Sequence, residues 1–234
     1  MTTFVLVHGA WHGAWVWRDV APLLERHGHR VLTPTLTGMG DRLHLLSAAT
    51  GVLQHATDIL AHIDHEEATD VVLVGHSYGA RPTALASAHP AVNRWISLDG
   101  VSVAEGTTLM DGAPPAAIEA TLASRILDGL AIPPLPAEML GVPPDHPGHA
   151  WVSRRLTPLP FACVEEPMPA LPARFASLRP AYIEALGNHM AGPKLGRAQA
   201  VAQGWPIKTI DSGHDLPVTA PSQTASALLD LAAA

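Results

Sequence analysis

The stretch Val71-Val72-Leu73-Val74-Gly75-His76-Ser77-Tyr78-Gly79 decides the reading of this chain. An apolar run of strand length, Val71–Val74, ends in G-x-S-x-G, and Arg81–His89 follows as a predicted helix stopped by Pro90. Strand, sharp turn and helix are the setting in which this motif presents a nucleophilic serine. The turn holds the serine in a strained backbone conformation, and the flanking glycines let neighbouring backbone come close. Ser77 Oγ then stands above the sheet. The backbone N–H of Tyr78, at the helix N-terminus, faces a developing oxyanion. Pro82 falls early in the helix, where a missing N–H costs least.

Outward from that turn, short apolar runs alternate with amphipathic ones. Phe4–Val7, Arg30–Thr33, Trp95–Leu98, Ala181–Leu186 and Ile207–Ile210 read as five further strands. Helices are predicted over Val16–His27, ended by Gly28, and over Leu53–Asp64, Lys194–Gln203 and Ser222–Ala232. Six strands separated by helices imply an α/β architecture: a doubly wound, mostly parallel six-stranded sheet with helices on both faces. Ligands in such sheets bind outside the carboxyl ends of the strands. The alternation breaks between Val101 and Pro180, which hold fourteen of the 22 prolines. The expected organisation is a core of residues 1–100 and 181–234 with a cap insertion at 101–180, carrying short helices near Ala116–Leu127 and Ala150–Leu156. Trp151, Phe161, Phe175 and many leucines argue against a disordered linker there.

A serine nucleophile needs a base and oxyanion donors. The loop after the first strand, His8-Gly9-Ala10-Trp11-His12-Gly13-Ala14-Trp15, supplies the N–H of Ala10 as the second donor. His8 is read as fixing this loop by hydrogen bonding, and Trp11, Trp15 and Trp17 as core or pocket wall. In this architecture the triad runs Ser, acid, His along the chain. His214 closes Asp211-Ser212-Gly213-His214 at the carboxyl end of the Ile207–Ile210 strand and is the expected base, ahead of His189.

Phe4–Trp17 (FVLVHGAWHGAWVW), Leu36–Arg42 (LTGMGDR), Val74–Gly79 (VGHSYG), Arg154–Pro160 (RRLTPLP) and Ser212–Asp215 (SGHD) together span the chain. In these pieces it resembles the α/β-hydrolase superfamily, and within it the plant methylesterase and hydroxynitrile lyase group with its bacterial esterase relatives. The resemblance implies a Ser-His-acid triad, backbone oxyanion donors at Ala10 and Tyr78, no cofactor, and a cap over a mostly apolar pocket. In that family the acid follows the strand that here is Ala181–Leu186, and the matching position is Asn188, an amide. An amide orients a histidine but does not stabilise an imidazolium by charge. Asp99, directly after the Trp95–Leu98 strand, is the acid favoured ahead of Asn188, since the superfamily tolerates an acid there; a turn or capping role for it is equally open. Glu184 and Asp211 are less natural partners.

The expected function is cleavage of a small, apolar or aromatic carboxylic ester through an acyl-enzyme on Ser77. Two alternatives stand beside it. The first is a lyase on the same scaffold, whose relatives carry a threonine in the first oxyanion loop and a lysine after the histidine, where this chain has Gly9 and Asp215. The second is a small-molecule-binding protein with a degenerate triad. Haloalkane dehalogenase and epoxide hydrolase chemistry needs an aspartate where Ser77 stands. Met110, Met139, Trp151 and Phe161 suggest an apolar ligand.

Composition sets the remaining limits. The chain has 234 residues, 47% of them hydrophobic and 15% charged, enough for a large core. Its net charge of −7, with no basic cluster, speaks against nucleic-acid binding. The single cysteine, Cys163, excludes an intrachain disulfide and reads as an inert buried thiol lacking a local histidine partner. The N-terminus has no signal-peptide pattern and no apolar run reaches membrane-spanning length, so a soluble cytoplasmic protein is expected. His55, Asp58, His62 and His65 share a helical face, read as a solvated face rather than a metal site. Gly38-Met39-Gly40 lacks phosphate-loop spacing. The expected partner is a small-molecule ester; monomer and homodimer are both open.

Overall fold

The computed structural model describes all 234 residues. Six strands form one sheet: β1 (Thr3–Val7), β2 (Arg30–Leu32), β3 (Val71–His76), β4 (Val92–Leu98), β7 (Ala181–Ala185) and β8 (Ile207–Ile210). Their order is β2-β1-β3-β4-β7-β8, and every neighbouring pair is parallel. The expected six strands are all present, and the sheet is wholly rather than mostly parallel.

Successive residues of a strand face opposite sides, and the core divides accordingly. Val5, Val7, Val71 and Leu73 pack on one face with Ile59 and Ile63 of α2 (Val52–His65) and Ala84 of α3 (Ala80–Ala86). Phe4, Leu6, Val72, Val74, Ile96 and Leu98 pack on the other. Their cover there is Leu24 of α1 (Ala21–Arg26) and Leu228 and Leu231 of the C-terminal helix (Pro221–Ala233). Both faces are dry, so the strands read as continuous apolar runs.

One predicted helix is shorter than its pattern. Over Val16–His27 the chain makes a 3-10 turn at Ala14–Trp17, and α1 begins only at Ala21. Val16, Val20 and Leu24 are buried as their spacing requires. Pro22, however, has no N–H to donate to the carbonyl four residues back, and its ring crowds that carbonyl. The proline therefore sits where a helix starts.

Residues 101–180 hold α4 (Pro115–Ala123), α5 (His149–Ser153), α6 (Ala162–Glu165) and a two-stranded antiparallel sheet. That sheet pairs β5 (Ala131–Ile132) with β6 (Leu159–Pro160), a pairing too short to leave a sequence pattern. Beyond them come α7 (Ala191–Ala202), α8 (Leu216–Thr219) and α9, the C-terminal helix already described. No helix is long and apolar enough to cross a membrane.

The core also stores an acid sensitivity. His8, His55 and His76 are fully buried. Burial, the largest influence on each, pushes His8 and His76 down to about 3 and His55 to about 4. All three stay neutral in the fold, while in the unfolded chain they take up protons below about 6.5. The contribution of these three rings to stability is therefore full well above pH 6.5 and falls as pH drops toward 4, at about 1.4 kcal/mol per unit for each ring and about 4 kcal/mol per unit for the three. Against a typical total of roughly 5–15 kcal/mol, urea midpoints should fall steeply between pH 6.5 and 5. A midpoint flat over that interval would contradict their neutral burial.

Candidate active site

The turn after β3 brings Ser77 to the carboxyl edge of the sheet with φ of +54°, a left-handed conformation that β-branched residues avoid. Crowding explains its glycines. A Cβ on Gly75 would lie 2.5 Å from the Gly79 carbonyl oxygen, and one on Gly79 would lie 2.6 Å from that of His8. The elbow is braced from the far side, where Val101 N–H donates to the Ser77 carbonyl at 3.2 Å.

Three loops at that edge converge on Ser77. His214, beyond β8, accepts the Ser77 hydroxyl proton at Nε2 over 2.8 Å. Its Nδ1–H donates to Asp99 Oδ2 at 2.7 Å. Asp99 follows β4 directly, in a left-handed conformation (φ +43°) pinned by its own N–H to the Ile183 carbonyl at 2.7 Å. Ser77, His214 and Asp99 are 8%, 3% and 2% exposed, so this line of hydrogen bonds is almost wholly out of water.

Asn188, beyond β7, is also here, in a different part from the one its position suggested. Its Nδ2–H donates to Asp99 Oδ2 at 2.6 Å, while its Oδ1 accepts Met190 N–H at 2.9 Å. The amide therefore turns its NH2 toward the carboxylate. It lies 3.1 Å from His214 Nδ1, but two N–H donors face one another there, so it is not the acceptor for the ring. Glu184 is engaged elsewhere, paired with Arg197 at 2.8 Å.

Ala10 and Tyr78 line the same cavity as Ser77, and the Ala10 N–H donates to no backbone carbonyl. His8 holds their loop as expected: its Nδ1–H donates to Gly9 carbonyl at 2.8 Å and its Nε2 accepts Leu36 N–H at 3.1 Å. Trp11, at φ +65°, is kept in place by Thr157 N–H on its carbonyl at 2.8 Å. The cavity above Ser77 measures about 620 Å³, and 17 of its 25 lining residues are hydrophobic. Leu109, Met110, Ile118, Ile132, Met139 and Val164, all from the 101–180 segment, form much of its wall. Trp151 and Phe161, expected beside them, do not line it. Trp151 packs edge-on against Trp15 at 5.0 Å, and Phe161 lies in the core under Arg125.

The sequence model of the alpha/beta hydrolase family matches residues 4–227. The chain belongs to that family. It is 35% identical to the carbendazim hydrolyzing esterase of Nocardioides sp. (strain SG-4G), over 99% of this chain and 100% of that one. Methylesterase 9 of Arabidopsis thaliana is 41% identical over 88 residues, 37% of this chain and 34% of the relative. A solved extracellular alpha/beta-hydrolase from a Paenibacillus species superposes with a TM-score of 0.83 over 99% of both chains at 22% identity, a likeness of fold. With its esterase relatives, this hydrolase is a carboxylic ester hydrolase.

Two features of the hydrolase's site were not legible beforehand. His12 Nε2–H donates to Asp215 at 3.1 Å and its Nδ1–H to the Ala10 carbonyl at 2.6 Å, so both ring nitrogens face acceptors. Burial opposes the charge on each partner. Their mutual attraction outweighs it, raising His12 and holding Asp215 below the usual carboxylate range. The pair ties the Ala10 loop to the residue next to His214.

The second feature lies under Tyr78. His55 was expected on a solvated face, yet it is buried, with Nε2–H donating to the Thr37 carbonyl and Nδ1 bonded to Tyr78 Oη, each at 2.7 Å. Cys163 lies 3.2 Å from Tyr78 Oη and 3.7 Å from His55 Nδ1, so it does have a histidine neighbour. Burial pushes this thiol up to about 12 and His55 down to about 4, which leaves both neutral and the thiol inert. No group of three or more His, Cys, Asp or Glu side chains is placed to hold a metal ion.

Proposed function

We propose that this hydrolase cleaves small, apolar carboxylic esters by a serine mechanism. The observation that carries the reading is the unbroken hydrogen-bonded line Asp99–His214–Ser77 at the floor of an apolar cavity. Ser77 Oγ attacks the acyl carbon while His214 Nε2 takes its proton. The alkoxide leaves with that proton, and water then releases the acid by the same route in reverse. Asp99 fixes the tautomer that leaves Nε2 free and stabilises the imidazolium formed during attack. The amides of Ala10 and Tyr78 receive the oxyanion. Residues 101–180 act as a cap that supplies the apolar wall and admits substrates without charge.

The carboxylate 2.7 Å from His214 favours catalysis over the alternative of a small-molecule-binding protein with a degenerate triad. The lyase reading finds no cation after His214, because Asp215 is buried and paired with His12. An alkyl fluorophosphonate should label the protein once per chain, on the peptide carrying Ser77. Absence of label on folded protein, or label on another residue, would overturn the mechanism.

A further inference from the structure

We infer that His12 is a positioning residue that works as an imidazolium, fixing the Ala10 oxyanion loop against the loop of the catalytic histidine through Asp215. This role rests on the serine reading above and deepens it: it concerns what holds the oxyanion donor in place, and over what range of pH.

Two peptide units set the direction of the Ala10 N–H, and a histidine holds each. The Gly9–Ala10 unit carries that N–H, and its carbonyl accepts His8 Nδ1–H at 2.8 Å. The carbonyl of the next unit, Ala10–Trp11, accepts His12 Nδ1–H at 2.6 Å. That second hold matters because Trp11 follows at φ +65°, a conformation that a bulky residue leaves when released. On its other side the His12 ring gives Nε2–H to Asp215 Oδ2 at 3.1 Å. Asp215 directly follows His214, and its own N–H is tied to the Leu140 carbonyl at 2.9 Å. One imidazole thus spans from the loop after β1, which offers the donor, to the loop after β8, which carries the base.

The span needs the charge. A neutral imidazole donates from one nitrogen only, so it would set a lone pair against the Ala10 carbonyl or against the carboxylate. Neither group can turn to water, since His12 and Asp215 are 1% and 0% exposed. Asp215 Oδ1 has no partner, so His12 is the only side chain that answers this carboxylate. The other titratable groups around the ring are histidines. His8, just after β1, and His76, at the end of β3 with its ring 6.2 Å away, are kept neutral by burial. His214 lies beyond His76, whose Nε2–H its carbonyl accepts at 3.0 Å. Trp15 adds an aromatic face at 5.1 Å and no charge. Burial alone would strip the His12 proton, and the attraction of Asp215 outweighs it and raises the ring above its ordinary value. Removing the proton at high pH, or the carboxylate by substitution, therefore frees the Ala10 carbonyl and lets the oxyanion donor swing away.

Two measurements test this together: ring nitrogen shifts in protein labelled with 15N-histidine, and hydrolysis of a short p-nitrophenyl ester across pH. Both are made on the parent, Asp215→Asn and Ser77→Ala, with a thermal midpoint for each. In the parent, the ring in contact with the Trp15 indole should keep both protons at pH values where exposed histidines have lost theirs. Its titration should coincide with a fall in kcat on the basic side. Asp215→Asn keeps the shape and removes the charge. At about pH 8 it should lose roughly 10- to 100-fold in kcat with KM nearly unchanged, as a misplaced oxyanion donor requires, and its basic limb should move to lower pH. A parent ring that is neutral where exposed histidines are, or a kcat that stays flat while that ring titrates, overturns the role even if the variant does not fold. A folded Asp215→Asn with parental kcat and an unmoved basic limb overturns it too. Full activity in Ser77→Ala would instead sink the serine mechanism itself, and the role of His12 with it.

Discussion

Ser77→Ala is expected to lower kcat for ester hydrolysis by a factor on the order of 10⁴–10⁶, leaving only what oxyanion binding alone supplies. Serine and base act as a unit: without Oγ, His214 Nε2 has no proton to take, and Ser77 Oγ is the hydroxyl that its ring meets. KM should change little, because the cavity keeps all its apolar lining. Stability should stay within about 1 kcal/mol of the parent. Alanine at φ +54° is no more strained than serine, and the brace from Val101 to the residue 77 carbonyl is untouched. The paired measurement is therefore kcat with a thermal midpoint. A variant that keeps a tenth of the parental rate at an unchanged midpoint would exclude Ser77 as nucleophile.

The nucleophile elbow was legible because its determinants are local. A strand-length apolar run, two glycines and a helix start lie within about a dozen residues, and each answers to backbone sterics alone. That Ala10 and His214 would come to the same edge as Ser77 was legible one step further out, from the oxyanion-loop position and the order of the triad along the chain. Asp99 could be named as the acid but not separated cleanly from Asn188, because their meeting depends on strand order. Asp99 and Asn188 are 89 residues apart and meet only because β4 lies beside β7 in the sheet. Once they meet, which one faces His214 is decided by Met190 N–H, a single backbone donor that turns the Asn188 amide round. No pattern of residue types carries that information.

The same limit explains the histidines. Helical spacing put His55 with Asp58, His62 and His65, and polar residues at such spacing usually face water. Here Thr37 and Tyr78 cover that end of α2 and give both nitrogens of His55 a partner. The signal for His12 lay beside a residue already singled out, since Asp215 directly follows His214. An acid next to the base must be buried with a cation or be turned away, and the cation came from the first loop.

Asp99→Asn should lower kcat by a factor on the order of 10²–10⁴ while leaving KM nearly unchanged, since residue 99 does not line the cavity. Its cause is tautomeric as well as electrostatic. Ala185 N–H demands an oxygen on one side of the side chain, which forces the NH2 of the new amide toward His214 and Asn188. There it meets the His214 Nδ1–H and the Asn188 NH2, donor against donor. The ring escapes the clash by moving its proton to Nε2, which leaves Nδ1 to accept from the amide. His214 then presents N–H to Ser77 and is not a base. Folding should survive, because a buried charge is exchanged for a neutral group of the same shape. The Asn188 NH2 left without an acceptor should cost about 1–3 kcal/mol, so low activity in a folded protein with a modestly lowered midpoint is the expected pair of results. Were Asn188 the group that orients His214, the same substitution would be nearly silent and Asn188→Asp would raise kcat. The inward-turned NH2 of Asn188 argues against that outcome, because it holds no acceptor to offer the ring.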